Sequence, residues 1–169
     1  MRVDSSLLAR LQCSVVVFFV FILTSAHATD EVKQAPEYEI AQIRLTPTNS
    51  STPISFSVKL AVTPSQHAYG LMFSPPLPAK SGMLFLFEDM KPRTFWMKNT
   101  PIALDILFFD DNGKLVALIS NAKPQTLTLR HSRVAAKYVL EIGGREASRL
   151  NIKVGARLHL PIVISSNEP

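Results

Sequence analysis

Residues 95–110 constrain the fold more than any other part of the sequence. The second half of this segment, residues 104–109, is apolar at every position except Asp105. Side chains of a strand alternate between two faces, so this run predicts a central strand that is covered on both sides. The first half places Lys98 after Trp96 and Met97. A charge in an apolar strand is costly unless it is paired or hydrogen-bonded, and we therefore expect specific partners for Lys98 and Asp105.

Alternation of apolar and polar residues predicts a protein built mainly from strands. In residues 54–62, every second residue from Ile54 to Val62 is apolar. Further strands are predicted at residues 38–45, 83–87, 95–98, 104–109, 115–119, 138–142 and 157–164. Pro161 favours an edge position for the last of these strands. Asn112-Gly113 predicts a hairpin with a type I′ turn, in which both central residues have positive φ.

Two short helices are predicted between the strands. One covers residues 64–72, with Thr63 at its N-cap and Pro64 at its first position, and the other lies within residues 143–151. Residues 121–133 are polar and predict a loop. The pattern lacks the regular alternation of strands with helices that is typical of parallel sheets. It predicts a mainly β fold, an antiparallel barrel or sandwich of about seven to eight strands with one or two short helices.

The N-terminus has the pattern of an export signal. Arg2 and Arg10 precede an apolar run at residues 11–23, and Ala26-His27-Ala28 matches an A-x-A cleavage site. The run is shorter than the roughly 20 residues that a membrane-spanning helix needs, so we expect no stable membrane insertion after cleavage. The predicted organisation is a signal peptide at residues 1–28, a flexible lead-in at 29–37 and one β-rich domain at 38–165. The expected location is the periplasm or the medium.

Composition excludes several classes of chemistry. The one cysteine of the chain, Cys13, lies in the predicted signal, which excludes disulfides, cysteine zinc sites and thiol catalysis in the mature protein. The net charge is +5, but the basic residues are scattered, so we expect no nucleic-acid partner. The methionines and His67 are too widely spaced to predict a copper site. We expect a monomer without metal or cofactor.

Several short motifs occur in a fixed order along the chain. They are Gly70-Leu71-Met72, Gly82-Met83-Leu84-Phe85, Phe95-Trp96-Met97-Lys98-Asn99-Thr100, Leu104-Asp105-Ile106, Asn112-Gly113, Tyr138-Val139-Leu140-Glu141 and Ile152-Lys153-Val154-Gly155. In these motifs the sequence resembles the family called domain of unknown function 192, over roughly residues 58–160. The resemblance implies a small, often exported β-rich domain to which no reaction is assigned.

The sequence departs from that family's pattern at three places. Ser74 and Pro75 stand where the family usually has a basic residue after its Gly-Leu-Met-Phe element. Gly144-Arg145 replaces a characteristic Ala-Gly pair, and Gly155-Ala156 replaces a Gly-Asp turn. A site that needed the missing cation or carboxylate would therefore be altered in this chain.

The candidate ligand-binding residues are Trp96, Lys98, Asn99, Asp105 and Glu141. Trp96, with its aromatic neighbours, could form a wall for a sugar or another ring. Lys98 and Asn99 could bind a carboxylate or a phosphate beside it. Asp105 has a structural alternative, as an ion-pair partner of Lys98 or as an acceptor for backbone N–H groups of the Asn99-Thr100 turn. Glu141 could equally be exposed or form a structural pair.

Two functions follow from these residues. The first is a non-catalytic binding module for a small molecule, a peptide or a component of the cell envelope, with no catalytic residues. The alternative is a hydrolase that uses Asp105 and Glu141 as a pair of acid–base groups. Geometry separates the two functions, because the hydrolase needs both carboxyl groups to open into one pocket.

Overall fold

Seven strands and two short helices make up the fold in a computed structural model, which describes residues 35–160. The elements, in chain order, are β1 (Glu39–Thr46), β2 (Ile54–Ala61), α1 (Pro64–Tyr69), β3 (Ser81–Phe95), β4 (Leu104–Phe109), β5 (Leu115–Ala122), β6 (Arg130–Gly143), α2 (Glu146–Arg149) and β7 (Arg157–His159). No helix within residues 35–160 is long and apolar enough to cross a membrane. The predicted signal peptide, most of the lead-in and Pro161 lie outside the described residues.

The strands form one curled sheet in the order β5-β4-β6-β3-β2-β1-β7. An antiparallel bridge between Lys114 and Arg157 brings the two edges together, and the Leu115 amide donates to the Ala156 carbonyl at 2.8 Å. This architecture confirms the predicted mainly β, barrel-like fold. It departs from a purely antiparallel sheet at one pair, because β2 and β3 run parallel. The connection through α1 and the proline-rich residues 74–78 provides the crossover that parallel neighbours need.

The sheet separates two apolar cores. Leu107 and Phe109 of β4 face one of them, which we call the inner core. Ile106 and Phe108 face the other, which we call the outer core. All six residues of β4 are buried, which confirms the predicted strand covered on both sides. The outer core is covered by α1 and by the segment that follows β3, including the fully buried Met97. The candidate site lies where α1 and this segment cover the outer core.

Strand β3 is a single strand of 15 residues, where the sequence predicted two separate strands. Its middle residues, 88–92, are exposed and extend with β6 beyond the core, so they carry no apolar alternation. For the same reason β6 begins at Arg130, inside the predicted loop of residues 121–133. Residues 96–98, predicted as strand, follow the end of β3 and leave the sheet.

The predicted hairpin at Asn112-Gly113 joins β4 to β5, but its turn is not type I′. Gly113 has a positive φ of 73°, whereas Asn112 does not. The Asp110 carboxylate accepts the Asn112 amide at 3.0 Å and the Lys114 amide at 2.8 Å, which stabilises a longer loop. A Cβ at Gly113 would lie 2.4 Å from the Leu158 carbonyl oxygen, so the closing contact of the sheet also requires glycine here.

Helix α1 is held in place by a capping box. Thr63 Oγ1 accepts the Gln66 amide at 3.3 Å, and Gln66 Oε1 accepts the Thr63 amide at 3.0 Å. The helix ends at Tyr69, earlier than predicted, because Gly70 has φ 52° and leaves the helical conformation. The short helix therefore places His67 and Tyr69 above the outer core.

Candidate functional site

Asp105 is a fully buried structural residue. Its Oδ1 accepts the backbone amides of Asn121 at 2.7 Å and Arg145 at 3.0 Å, and the Ser120 hydroxyl at 3.3 Å. Its Oδ2 accepts the Ala147 amide at 2.8 Å. These donors belong to the end of β5 and the start of α2. Asp105 therefore ties both elements to β4.

The backbone next to Asp105 is tightly packed. A Cβ at Gly144 would lie 2.6 Å from Asn121 Oδ1 and 2.9 Å from the Ala103 Cβ, so in this chain a larger residue would require both neighbours to shift. Arg145, whose amide reaches Asp105, has φ 67°. This is the left-handed conformation that glycine adopts most readily, and here an arginine adopts it.

Both predictions of a partner for Asp105 are wrong. Within residues 35–160 its carboxylate forms no ion pair with Lys98, which is exposed, and no hydrogen bond with the Asn99-Thr100 turn. Its donors come from residues 120–121 and 145–147 instead. Asp105 does accept backbone hydrogen bonds, as one interpretation predicted. The amides that donate them lie farther along the chain than the predicted turn.

Asp105 and Glu141 lie on opposite faces of the sheet. Asp105 is paired with Ile142, whereas Glu141 is paired with Ile106. Directly paired residues share a face and successive residues alternate. Ile142 belongs to the inner core and Ile106 to the outer core, so the two carboxyl groups point away from each other. The paired acid–base arrangement of a two-carboxylate hydrolase is absent from these two residues.

Glu141 is neither exposed nor paired, contrary to both structural alternatives for it. The residue is only 4% exposed, and its carboxyl oxygens receive no hydrogen bond from the described residues. They keep a small contact with solvent, since no fully buried side-chain oxygen in that part of the chain lacks a partner. Burial raises the pKa of Glu141 to about 8, because the charged form has lost most of its water without gaining a donor. A buried polar group without a protein partner is a candidate ligand contact.

The Glu141 carboxyl lines a small inner pocket of about 30 Å³, room for about one water molecule. The lining combines apolar and aromatic side chains with polar atoms from Lys98, Thr100 and His67. The aromatic members are Tyr69, Phe85, Phe95 and Trp96. We call this space the inner pocket.

A larger open cleft of about 610 Å³ adjoins the inner pocket. The two share five lining residues: His67, Ala68, Phe85, Phe95 and Trp96. The rest of the cleft is formed by Pro64, Phe87, Pro92, Arg93 and Thr94. We call this space the outer cleft. Together the two spaces form an aromatic depression with one acid at its floor, the usual composition of a small-molecule site.

The segment after β3 positions the rim residues through Met97. Met97 is fully buried in the outer core, and its amide donates to the Thr126 carbonyl at 3.0 Å. Its neighbours Trp96 and Lys98 therefore remain at the surface, where Trp96 is 43% exposed. Lys98 Nζ lies 5.1 Å from the centre of the Trp96 ring, within the range of a cation–π contact.

Asn99 lies beside the site and shapes the loop. Its φ is 53°, a left-handed conformation that asparagine tolerates, and its carbonyl accepts the Phe73 amide at 2.7 Å. Its side-chain amide points to Met72 Sδ at 3.9 Å, and Asn99 does not line either space. The structure thus brings together Trp96, Lys98 and Glu141, and it leaves Asn99 and Asp105 outside the site.

His67 is a site residue that the sequence analysis did not include among the candidates. Its Nε2 lies 3.0 Å from the Ala61 carbonyl oxygen, which can only accept, so Nε2 carries the proton and Nδ1 is left as an acceptor in the neutral ring. The ring lies 4.4 Å from the Phe87 ring, centre to centre. The capping box of α1 indicates where the helix begins, but none of its six residues is buried, so no apolar pattern marks the face that meets the sheet.

A second groove, of about 240 Å³, lies between β2 and the proline-rich residues 74–78. Its lining is largely apolar, and Lys59 is its one ionisable residue among those described. It offers no buried group in need of a partner. Within residues 35–160 there is also no cluster of three or more His, Cys, Asp or Glu side chains that could hold a metal ion.

Comparison with known proteins places the chain in a family. A sequence model of domain of unknown function 192, described as "Uncharacterized ACR", matches residues 45–160. The chain belongs to this family. The resemblance stated from the motifs is thereby confirmed, and the family brings no assigned reaction. No curated protein matches the sequence.

Two crystal structures are similar to this protein in both sequence and fold. One, from Sinorhizobium meliloti 1021, is described as a candidate transcription regulator; it is 35% identical, with a TM-score of 0.71, over 75% of this chain and 98% of the other. The second is a protein of unknown function from Novosphingobium aromaticivorans DSM 12444, 34% identical with a TM-score of 0.68, over 75% of this chain and 93% of the other.

Asp105→Asn should destabilise the protein by about 3 kcal/mol or more, because an amide nitrogen replaces one of two oxygens that accept buried N–H groups. Lys98→Met should change the free energy of unfolding by less than about 0.5 kcal/mol, since Lys98 is exposed. Urea unfolding of both variants and of the double mutant measures these values, and the double mutant should equal the sum. A coupling above about 1 kcal/mol would contradict the assignment of separate partners.

Stability should depend on pH through Glu141. Its pKa is about 8 in the folded protein and near its ordinary value of 4.5 when unfolded, so the folded state binds the extra proton between these values. Stability therefore falls as pH rises from about 4.5 to 8, by at most about 5 kcal/mol. Glu141→Gln should remove this component, as measured by urea unfolding at both ends of the range. Glu39→Gln, at an exposed position, is the control, and an unchanged pH dependence in Glu141→Gln would contradict the assignment.

Proposed function

We propose that this protein is an exported, non-catalytic binding module whose ligand is a small molecule held in the inner pocket and outer cleft. One observation carries the proposal. Glu141 is buried at the floor of an aromatic depression, and its carboxyl has no hydrogen-bond partner among residues 35–160. A bound ligand would supply the missing partner and would cover Trp96.

The position of the acids favours binding over hydrolysis. Among the described residues that line either space, Glu141 is the only acid. A two-carboxylate mechanism needs a second acid within several ångströms of the first. Asp105 cannot serve, because it lies on the other face of the sheet and all its donors are structural.

The description of one similar structure as a transcription regulator does not change this proposal. Nucleic-acid binding relies on clustered Lys and Arg side chains that neutralise phosphates. The basic residues of this chain are scattered, and no basic run is interleaved with aromatic residues. A predicted export signal also points away from contact with DNA.

Export is the second part of the proposal, and the N-terminal sequence supports it. Cleavage after Ala28 should give a secreted or periplasmic protein that begins at Thr29. Intact-mass analysis of the fractionated protein, after expression of the full sequence, measures this directly. A protein that keeps residues 1–28 and stays with the membrane fraction would contradict export. Ala28→Gln should block cleavage and serves as the negative control.

Ligand binding can be followed through Trp96, the only tryptophan of the chain. Titration with a defined panel of monosaccharides, amino acids, aromatic acids and short peptides should reveal at least one class that changes Trp96 emission saturably. Ala68 is exposed and lines both spaces, so Ala68→Phe should fill the site and weaken binding about tenfold or more.

The matched control is Ser65→Phe, which adds the same ring to an exposed position of the same helix outside both spaces. It should bind as the unmodified protein does. Equal affinity in Ala68→Phe and Ser65→Phe would show that the ligand binds elsewhere. A panel without any saturable change would contradict the proposed class of ligand.

A further inference from the structure

We propose that Glu141 acts as a hydrogen-bond donor and that the ligand group it meets is a carboxylate, so that the site selects small organic anions carrying a ring. This inference rests on the proposed function, since it concerns the same site. It goes further by giving the charge of the ligand and the direction of the hydrogen bond. Three observations carry it, namely the charges around the site, the burial of Glu141 without a hydrogen-bond donor and the occupied aromatic faces.

The charged side chains around the site are mostly cationic. Besides Glu141, the ionisable residues facing the two spaces are His67 and Tyr69 from α1, Arg93 from β3 and Lys98 from the segment that follows. Arg93 pairs with Asp89, with its Nη2 at 2.6 Å from Asp89 Oδ1, but Lys91 pairs with the same carboxylate, so the three side chains keep a net positive charge. Lys98 forms no ion pair within residues 35–160 and is therefore free to meet an anion.

The inner pocket favours the neutral form of Glu141. The residues around Glu141 provide neither a hydrogen-bond donor nor a cation within pairing distance. Burial alone raises the pKa of its carboxyl to about 8. At neutral pH the group is then largely a carboxylic acid, whose O–H can donate to a bound ligand. A ligand carboxylate is the strongest acceptor available to it, because hydrogen bonds to a charged oxygen are short and strong.

The aromatic faces that would attract a cationic ligand already carry protein cations. Lys98 Nζ lies 5.1 Å from the centre of the Trp96 ring, and the Arg93 guanidinium lies 3.9 Å from the centre of the Phe87 ring. A ligand ammonium would compete with both and would be repelled by their charge. The ring of an anionic ligand can still pack against the remaining aromatic surface of the outer cleft.

Three compounds that share a benzene ring but differ in charge test which charge the site selects in a ligand. They are benzoate, benzyl alcohol and benzylammonium. Titration followed by Trp96 emission and by calorimetry at about pH 7 should give the order benzoate, then benzyl alcohol, then benzylammonium. Benzoate affinity should fall about tenfold between pH 7 and pH 9, as Glu141 loses its proton and repels the anion. Benzyl alcohol should show a smaller change.

Variants of Glu141 test the direction of the hydrogen bond. Glu141→Gln keeps a neutral donor, so it should bind benzoate within about threefold of the unmodified protein and lose the pH dependence. Glu141→Leu removes the donor and should weaken benzoate about tenfold. Lys98→Gln should weaken benzoate several-fold, while Lys153→Gln, at an exposed position outside both spaces, should leave it unchanged.

The outcomes that overturn the inference differ from those that overturn the proposed function. If benzylammonium binds more tightly than benzoate and Glu141→Gln abolishes its binding, the ligand is a cation and the site remains a ligand site. If no ring compound binds but a panel compound does and is blocked by Ala68→Phe, the carboxylate–ring assignment fails alone. If neither the ring compounds nor the panel bind, both proposals fail.

Discussion

The rest of the structure depends on the hydrogen bonds of the Asp105 carboxylate. A buried carboxylate is tolerated only when donors replace the water that it has lost. Three backbone amides and one hydroxyl do so here, and they come from the end of β5 and the start of α2. Satisfying one side chain therefore fixes two elements against β4. Strand β6, which pairs with β4 and leads into α2, is held in register by the same contacts.

That register determines which face of the sheet receives Glu141. Because β4 and β6 pair residue by residue, the inner core takes Asp105 and Ile142 and the outer core takes Ile106 and Glu141. The two acids thus lie close in the sheet but in opposite environments. One has every oxygen occupied by donors, while the other opens into an aromatic pocket without a donor. The difference in hydrogen bonding separates a structural acid from a candidate ligand contact.

The sequence predicted those parts of the fold in which burial leaves a periodic pattern. Strand β4 was predicted with its bounds and its two apolar faces, because every one of its positions is buried. The exposed arm formed by β3 and β6 was missed, since residues 88–92 have no core to face and show no alternation. The turn at Asn112-Gly113 was assigned to the wrong type, because the Asp110 side chain organises a longer loop than the two glycine-compatible residues suggest.

The candidate site was predictable only in part, for a related reason. Trp96 and Lys98 stood out as residues that packing alone does not explain, and they do line the site. The donors to Asp105 could not be inferred, because they are backbone amides brought together from residues 120–121 and 145–147 by the fold.

The charged form of Glu141 is costly at this buried position, because it has lost most of its water and receives no hydrogen bond from the described residues. An apolar side chain at this position would complete the outer core, and an outward-facing acid would keep its water. Met97 adds to the same arrangement, because its burial holds the following loop against the core and leaves Trp96 and Lys98 at the rim. Local conflicts with good packing are expected where a protein meets its ligand. An acid without a partner, beneath an anchored aromatic rim, is such a conflict.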